Sequence, residues 1–202
     1  MVSSLDGAAA AGGLSGSIGG AGDRLMFGAI RRLADTIVVG AGTARAERYR
    51  MPPTGVRLIM VSRSLDLPDD LPALVTGREG GARPVIIAPS AAPADRAARL
   101  SVSAEAILVE DDPSPTAIIS VAADLGAEVI SCEGGPSLLA QFDEADLIDE
   151  WFVTIGNCVL SGAAPRILSG GAPSRRDLEL VGLVEDDSTV FLRYLTTRDR
   201  LE

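Results

Sequence analysis

The sequence predicts an α/β protein with a mostly parallel central sheet, helices on both faces and an antiparallel C-terminal edge. Three observations carry that prediction. Short apolar runs recur at Thr36–Gly40, Arg57–Val61, Pro84–Ala88, Ala106–Val109, Glu128–Ser131, Trp151–Ile155 and Thr189–Leu195. Stretches of helical apolar spacing lie between the earlier runs, and alternation of strand and helix is the pattern of a parallel sheet covered on both sides. The last two runs are separated instead by the Gly/Pro/Ser-rich segment Ser161–Ser174, with no clear crossover helix, so they are read as an antiparallel pair.

Three helices follow from spacing. Gly22–Ala34 places Leu25, Met26, Ala29, Ile30 and Leu33 at helical intervals, with Arg24, Arg31, Arg32 and Asp35 elsewhere. Pro115–Leu125 and Pro136–Ala145 each open on a proline, which suits the first helical position, with a small hydroxyl residue beside it. The stretch Ala8–Gly22 is too glycine-rich to read as helix; it is either a disordered tail or a functional flap. No repeat or linker divides the chain, so residues 1–202 are read as a single domain.

Composition narrows the chemistry. The 202 residues carry a net charge of −10, which argues against nucleic acid as a partner. No apolar run has the length of a membrane span, no signal-peptide pattern opens the chain, and Cys132 and Cys158 make neither a disulfide framework nor a metal site. A cytoplasmic protein with free thiols is expected. The chain has no histidine and no lysine, since all 18 basic residues are arginine. Ser-His-Asp and Cys-His catalysis, imidazole metal ligation and Schiff-base chemistry are thereby excluded. Proton transfer falls to Asp, Glu, Tyr, Cys or water, and anion binding to Arg, backbone N–H or hydroxyl groups. A cofactor that carries the chemistry fits this inventory.

Ligands of open α/β sheets bind beyond the carboxyl ends of the strands. Four segments there are unusual. Gly40-Ala41-Gly42-Thr43 is followed by Arg45 and Glu47; Ser62-Arg63-Ser64 follows a second run; Glu133-Gly134-Gly135 follows Cys132; and Ser4-Leu5-Asp6-Gly7 opens the chain. The stretch Val129 to Leu139 reads as strand, tight turn and helix start, an arrangement that suits a phosphate but also serves as an ordinary bend. It matches neither familiar phosphate loop. Each segment also has a plain structural reading: Thr43 as a helix cap, Ser62–Ser64 as a solvated loop, Asp6-Gly7 as a turn, Glu133 as a cap of the following helix. Taken together, two glycine-rich turns and a Ser-Arg-Ser at one sheet edge suit an extended cofactor with a pyrophosphate and a further phosphate, which Ser62 and Arg63 would hold.

SLDG at 4–7, AIRRLAD at 29–35, GAGTARAE at 40–47, VSRSL at 61–65, CEGGPSLL at 132–139 and LIDEW at 147–151 resemble, in order, the reductase domain of riboflavin biosynthesis. That domain shares the dihydrofolate reductase fold, and its stand-alone actinobacterial forms are the nearest in character. The resemblance implies NADPH as hydride donor and 5-amino-6-(5-phosphoribosylamino)uracil as substrate, reduced at C1′ to the ribityl form. It places Gly42, Thr43 and Glu47 beside the ribose and nicotinamide, and Ser17 on the cofactor side of the flap. Gly134, Gly135, Pro136, Ser137 and Leu138 fall around the pyrophosphate, and Ser62 and Arg63 at the 2′-phosphate. Ser4, Ser15, Arg31 and Glu133 face the substrate, with Glu133 the candidate acid for positioning or proton transfer. A homodimer is also implied, with Leu147–Ile155 apolar enough to contribute.

The chain departs from the family in two places. The family's loop after its Asp or Glu runs into an Asn-Pro-x-Leu-Thr-x-Arg-like stretch, whereas Glu47 is followed by Arg48-Tyr49-Arg50-Met51-Pro52-Pro53; Arg48 or Arg50 is the expected substitute for the arginine that clamps the substrate phosphate. Only Met1, Val2 and Ser3 precede Ser4-Leu5-Asp6-Gly7, where the family's central first strand is longer, so an upstream start is expected. The zinc deaminase that accompanies the reductase in bifunctional proteins has no ligand set here. Two alternatives stand beside this reading: a pterin or dihydrofolate reductase on the same fold, and a catalytically silent NADPH-binding protein.

Overall fold

Ile37, Val38 and Val39 are inaccessible to solvent, as are Leu58, Ile59 and Met60. Successive strand residues point to opposite faces, so this burial requires cover on both sides of one sheet. A computed structural model, which describes residues 1–109 and 111–198, shows the arrangement. Its elements run β1 (Val2–Ser3), α1 (Gly16–Leu33), β2 (Thr36–Gly40), α2 (Ala41–Ala46), β3 (Arg57–Val61), α3 (Pro72–Arg78), β4 (Val85–Pro89), α4 (Ala94–Leu100), β5 (Glu105–Val109), α5 (Pro115–Asp124), β6 (Ile130–Cys132), α6 (Pro136–Glu144), β7 (Glu150–Ile155), β8 (Leu178–Asp186) and β9 (Thr189–Thr196). Two units form: Ala29–Gly135, and Met1–Gly28 with Pro136–Glu202.

Ala29–Gly135 is built on a five-stranded, wholly parallel sheet of order β5-β4-β3-β2-β6. Helices α2, α3, α4 and α5 make the successive crossovers. Ile37, Val39, Leu58, Met60, Ile86 and Ala88 join Ala44, Leu71, Leu74 and Leu100 in one core cluster. Ser114 caps α5 by accepting from the Ala117 N–H at 3.2 Å, and Pro115 occupies its first turn as the sequence predicts. Helices α2, α3 and α4 lay outside the sequence prediction because six or seven residues are too few to display a helical period.

Asp35 ties three strands at the amino edge of this sheet. Its Oδ2 accepts the N–H groups of Glu128 and Val129 at 2.9 and 2.8 Å, and its carbonyl accepts that of Arg57 at 2.8 Å. The starts of β2, β3 and β6 are thereby set against one another. Burial alone would raise the Asp35 carboxyl, but these donors bring it below its ordinary value.

The other unit carries a four-stranded sheet of order β1-β7-β9-β8. Strand β7 pairs parallel with β1 and antiparallel with β9, Trp151 facing Tyr194 in register. The expected antiparallel pairing of the last two runs is therefore present. Between them in sequence, and outside β9 in the sheet, is the strand that prediction missed: β8 forms a hairpin with β9 through Asp187 and Ser188, both at positive φ. Leu147–Ile155 does not present a free edge, since β7 lies between β1 and β9 and Trp151 is buried; the edge strand β8 carries exposed apolar residues instead, Leu180, Leu183 and Val184 each being about half accessible.

The glycine-rich stretch also departs from expectation. Gly12 and Gly13 make a tight turn closed by the Ala11–Leu14 bridge, and α1 then starts at Gly16, with a kink at Gly20. Packing overrides propensity here. A Cβ on Gly22 would crowd the Phe191 ring, and one on Gly156 would overlap the Ile18 carbonyl, so the glycines let helix and strands approach closely. On α6, Leu138, Leu139 and Phe142 are buried, a contribution of about 2–3 kcal/mol for the Phe142 side chain. Arg176 holds that helix's end, its Nε on Asp143 Oδ1 at 2.8 Å and its Nη1 on Asp146 Oδ1 at 2.5 Å.

Candidate active site

Strand order locates the site in Ala29–Gly135. From β2 the chain adds β3, β4 and β5 in one direction, then returns to place β6 on the opposite flank of β2. The crevice at such a reversal, beyond the carboxyl ends, is where open α/β sheets bind ligands. Gly40 ends β2 and Glu133-Gly134-Gly135 follows β6. The Gly40 N–H donates to the Gly134 carbonyl at 2.6 Å, and the Glu133 N–H to the Val38 carbonyl at 2.9 Å. Gly134 has φ +86°, and the peptide bond to Gly135 is cis. A Cβ on Gly135 would overlap Thr43 Oγ1, so glycine is required for this approach. Thr43 is not a helix cap: it lies inside α2, whose N-cap is Gly40. An added Cβ at Gly42 meets nothing within 4 Å, so the backbone there is open to a ligand. Glu47 closes the C-terminus of α2, its N–H donating to the Thr43 carbonyl at 2.9 Å.

Glu133 does not cap the following helix. Arg31, in the last turn of α1, grips its carboxylate from Nε and Nη2 at 2.7 and 2.6 Å, and the Tyr49 hydroxyl donates to Oε2 at 2.7 Å. The Arg31 guanidinium lies over the Tyr49 ring, 5.3 Å from its centre. The Glu133 side chain is 3 % exposed and that of Arg31 24 %. Burial pushes the Tyr49 hydroxyl far above its ordinary range, and the neighbouring carboxylate adds to the effect, so it stays protonated and can only donate to Glu133. Burial also raises the Cys132 thiol to about 11. Glu133 thus accepts three side-chain hydrogen bonds, a fixed orientation from which it can position a partner.

Tyr49 escaped prediction because a tyrosine in a loop has no spacing signature. Arg48, one expected clamp for a substrate phosphate, is engaged with Asp70 at 2.8 Å, whereas Arg50 is exposed. Past β3, Ser62 is 3 % exposed and its N–H donates to the Ile87 carbonyl at 2.9 Å, while Arg63 is exposed.

The remaining predicted residues belong to the other unit. Ser4 is 1 % exposed and its hydroxyl is engaged on both sides, donating to Asp6 Oδ1 at 2.5 Å and accepting from the Ala8 N–H at 2.9 Å. Asp6 also accepts the N–H groups of Leu160 and Ser161. This motif therefore closes a turn and secures residues 160–161. Ser15 immediately precedes α1, and Ser17 is exposed in its first turn. Pro136 opens α6, Ser137 is exposed and Leu138 is buried. A cavity of about 820 Å³ beneath residues 163–174, lined by Trp151 and Tyr194, includes none of the predicted site residues.

A parallel sheet with its switch point at a double-glycine turn, together with an antiparallel C-terminal sheet, defines an α/β protein of the dihydrofolate-reductase type. A dihydrofolate reductase from Enterococcus faecalis, complexed with NADP(H), superposes with a TM-score of 0.56 at 14 % identity over 98 % of this chain and 94 % of its own. The chain belongs to the RibD C-terminal domain family, whose model matches residues 1–192. This is the pyrimidine-reductase family of riboflavin biosynthesis. A pyrimidine reductase-like protein from Corynebacterium diphtheriae is similar at 26 % identity and a TM-score of 0.80, over 98 % of this chain and 90 % of that one. RibD from Acinetobacter baumannii is similar at 19 % identity and a TM-score of 0.79; the match covers 98 % of this chain but only 57 % of RibD. No curated protein sequence matches.

Proposed function

We propose that the protein is an NADPH-dependent reductase that converts 5-amino-6-(5-phosphoribosylamino)uracil to its ribitylamino form, both units belonging to one reductase domain. The observation that carries this reading is the close approach of Gly134-Gly135 to Thr43 at the switch point, with open backbone at Gly42, in a chain of the RibD C-terminal domain family. These residues suit a dinucleotide: glycine backbone for a pyrophosphate, and Ser62 with Arg63 for a 2′-phosphate. Ser17, Thr43, Glu47, Pro136, Ser137 and Leu138 complete the cofactor set in this reading. When bound, NADPH supplies the hydride.

The chain's own residues orient the substrate. Glu133, fixed by Arg31 and Tyr49, accepts hydrogen bonds from the amino-rich pyrimidine edge. Arg31, Ser4 and Ser15 complete the substrate set, and Arg50 takes the substrate phosphate, since Arg48 is paired with Asp70. With Tyr49 and Cys132 held protonated, the proton that accompanies reduction comes from water. Among the described residues no helix is long and apolar enough to cross a membrane, and we place the enzyme in the cytoplasm. A homodimer belongs to the same reading, and the exposed apolar residues of β8 support it.

The test is NADPH oxidation by the purified protein with the pyrimidine ribosyl phosphate and, separately, dihydrofolate. Turnover of the first alone supports the proposal. Turnover of dihydrofolate alone makes it a pterin-type reductase, and tight NADPH binding without turnover of either makes it a silent binding protein.

A further inference from the structure

Among the described arginines of Ala29–Gly135, those paired with carboxylates are Arg31 with Glu133, Arg45 with Asp66, Arg48 with Asp70 and Arg99 with Asp69. Arg57, Arg78, Arg83 and Arg96 make no ion pair among the described residues and donate instead to backbone carbonyls. Of these, Arg96 reaches the loop after β3, its Nη1 donating to the Ser64 carbonyl at 3.0 Å. Arg63, one residue before Ser64, likewise makes no ion pair among the described residues and is exposed. Two guanidinium groups without carboxylate partners thus flank one short loop in a chain of net charge −10. The topology explains the meeting. Ser62–Ser64 follows β3, and Arg96 lies in the first turn of α4, which follows β4; β3 and β4 are parallel neighbours, so both segments emerge at the same carboxyl edge.

We propose that Arg96 is a second contact for the 2′-phosphate of NADPH and, with Arg63, determines the choice of NADPH over NADH. The inference rests on the reductase reading above. A single nitrogen of Arg96 braces the loop, and its other N–H groups have no protein partner among the described residues. A phosphate monoester carries close to two negative charges, and two planar guanidinium forks satisfy more of its oxygens than one. The unphosphorylated cofactor presents only a hydroxyl at that position and gains nothing from either arginine.

Binding of NADPH and NADH is measured for the wild type, Arg96→Ala, Arg96→Lys, Arg63→Ala and the double alanine variant. Arg96→Ala is expected to weaken NADPH about tenfold and leave NADH unchanged, with partial recovery in Arg96→Lys. In the Arg63→Ala background Arg96→Ala lowers NADPH affinity further, which a residue acting only by bracing Arg63 would not do. Wild-type preference for NADPH should also narrow as salt is raised. Equal losses for both nucleotides, or none for either, overturn the role given to Arg96 while leaving the reductase reading intact. A wild type that binds neither nucleotide, or both alike, overturns the cofactor reading and this inference with it.

Discussion

The Tyr49 hydroxyl meets Glu133 at 2.7 Å while Arg31 grips the same carboxylate and lies across the Tyr49 ring. One residue thus contributes a donor to the acid and an aromatic face to the base. The three side chains form a closed set in which the only buried negative charge is shared between two donors that cannot leave independently. Removing one member therefore exposes the cost of the other two.

Glu133→Ala leaves the Arg31 charge in a site where its side chain is 24 % exposed. It should lower unfolding stability by about 3 kcal/mol. Tyr49→Phe removes one donor from a carboxylate still held by Arg31, at a cost of about 1–2 kcal/mol. Urea denaturation with an unchanged slope would give both values. Equal losses in the two variants would mean that the carboxylate is not the centre of the set.

Gly135→Ala should destabilise the protein and weaken nucleotide binding, because its Cβ overlaps Thr43 Oγ1. Thr43→Ala removes the obstructing atom, so the double variant should regain part of the lost melting temperature. A double variant no better than Gly135→Ala would show that the conflict lies elsewhere.

Burial raises the Cys132 thiol from 9.0 to about 11. The folded state holds this proton more tightly than the unfolded chain, so the contribution is complete below pH 9 and declines as pH rises towards 11. Stability should fall across that window, and Cys132→Ala should flatten the fall. Alkylation at pH 8 should spare Cys132 until the protein unfolds.

Asp6 behaves in the opposite sense. The Ser4 hydroxyl, then the Ser161 and Leu160 N–H groups, lower its carboxyl from 3.8 to about 2. Its contribution is present above pH 3.8 and lost as pH falls through 2. Asp6→Asn should flatten the acid limb and speed hydrogen exchange at the Leu160 and Ser161 amides. Unchanged exchange at those two amides would show that the carboxylate does not hold them.

The parallel sheet was legible because its strands are buried on both faces and stand out as apolar runs, Ile37–Val39 and Leu58–Met60 among them. Strand β8 was not, since as an exposed edge it mixes Glu179, Glu185 and Asp186 with its apolar residues and breaks alternation at a bulge near Val181. The first turns of α1 were hidden by glycines whose purpose is close packing, which a propensity argument counts against helix. Within the site, Gly134-Gly135, Thr43 and Glu133 could be singled out by their place after apolar runs. Tyr49 could not, because its partners Arg31 and Glu133 are 18 and 84 residues away in sequence and are brought to it only by the fold.

Parallel strands lack the hairpins that set register in antiparallel pairs, so something else must fix their alignment. In this sheet Asp35 does so from the amino edge, pinning the starts of β2, β3 and β6 with one side chain and one carbonyl. The Asp35 anchor and the candidate site thus lie at opposite ends of the same strands. The loops after β2, β3 and β6 leave from the other end of these strands, where the Gly40–Gly134 and Glu133–Val38 backbone hydrogen bonds add to the alignment of β2 with β6. A sheet organised this way can carry a changed loop, such as the one that begins at Arg48, while Asp35 holds the strand starts in place.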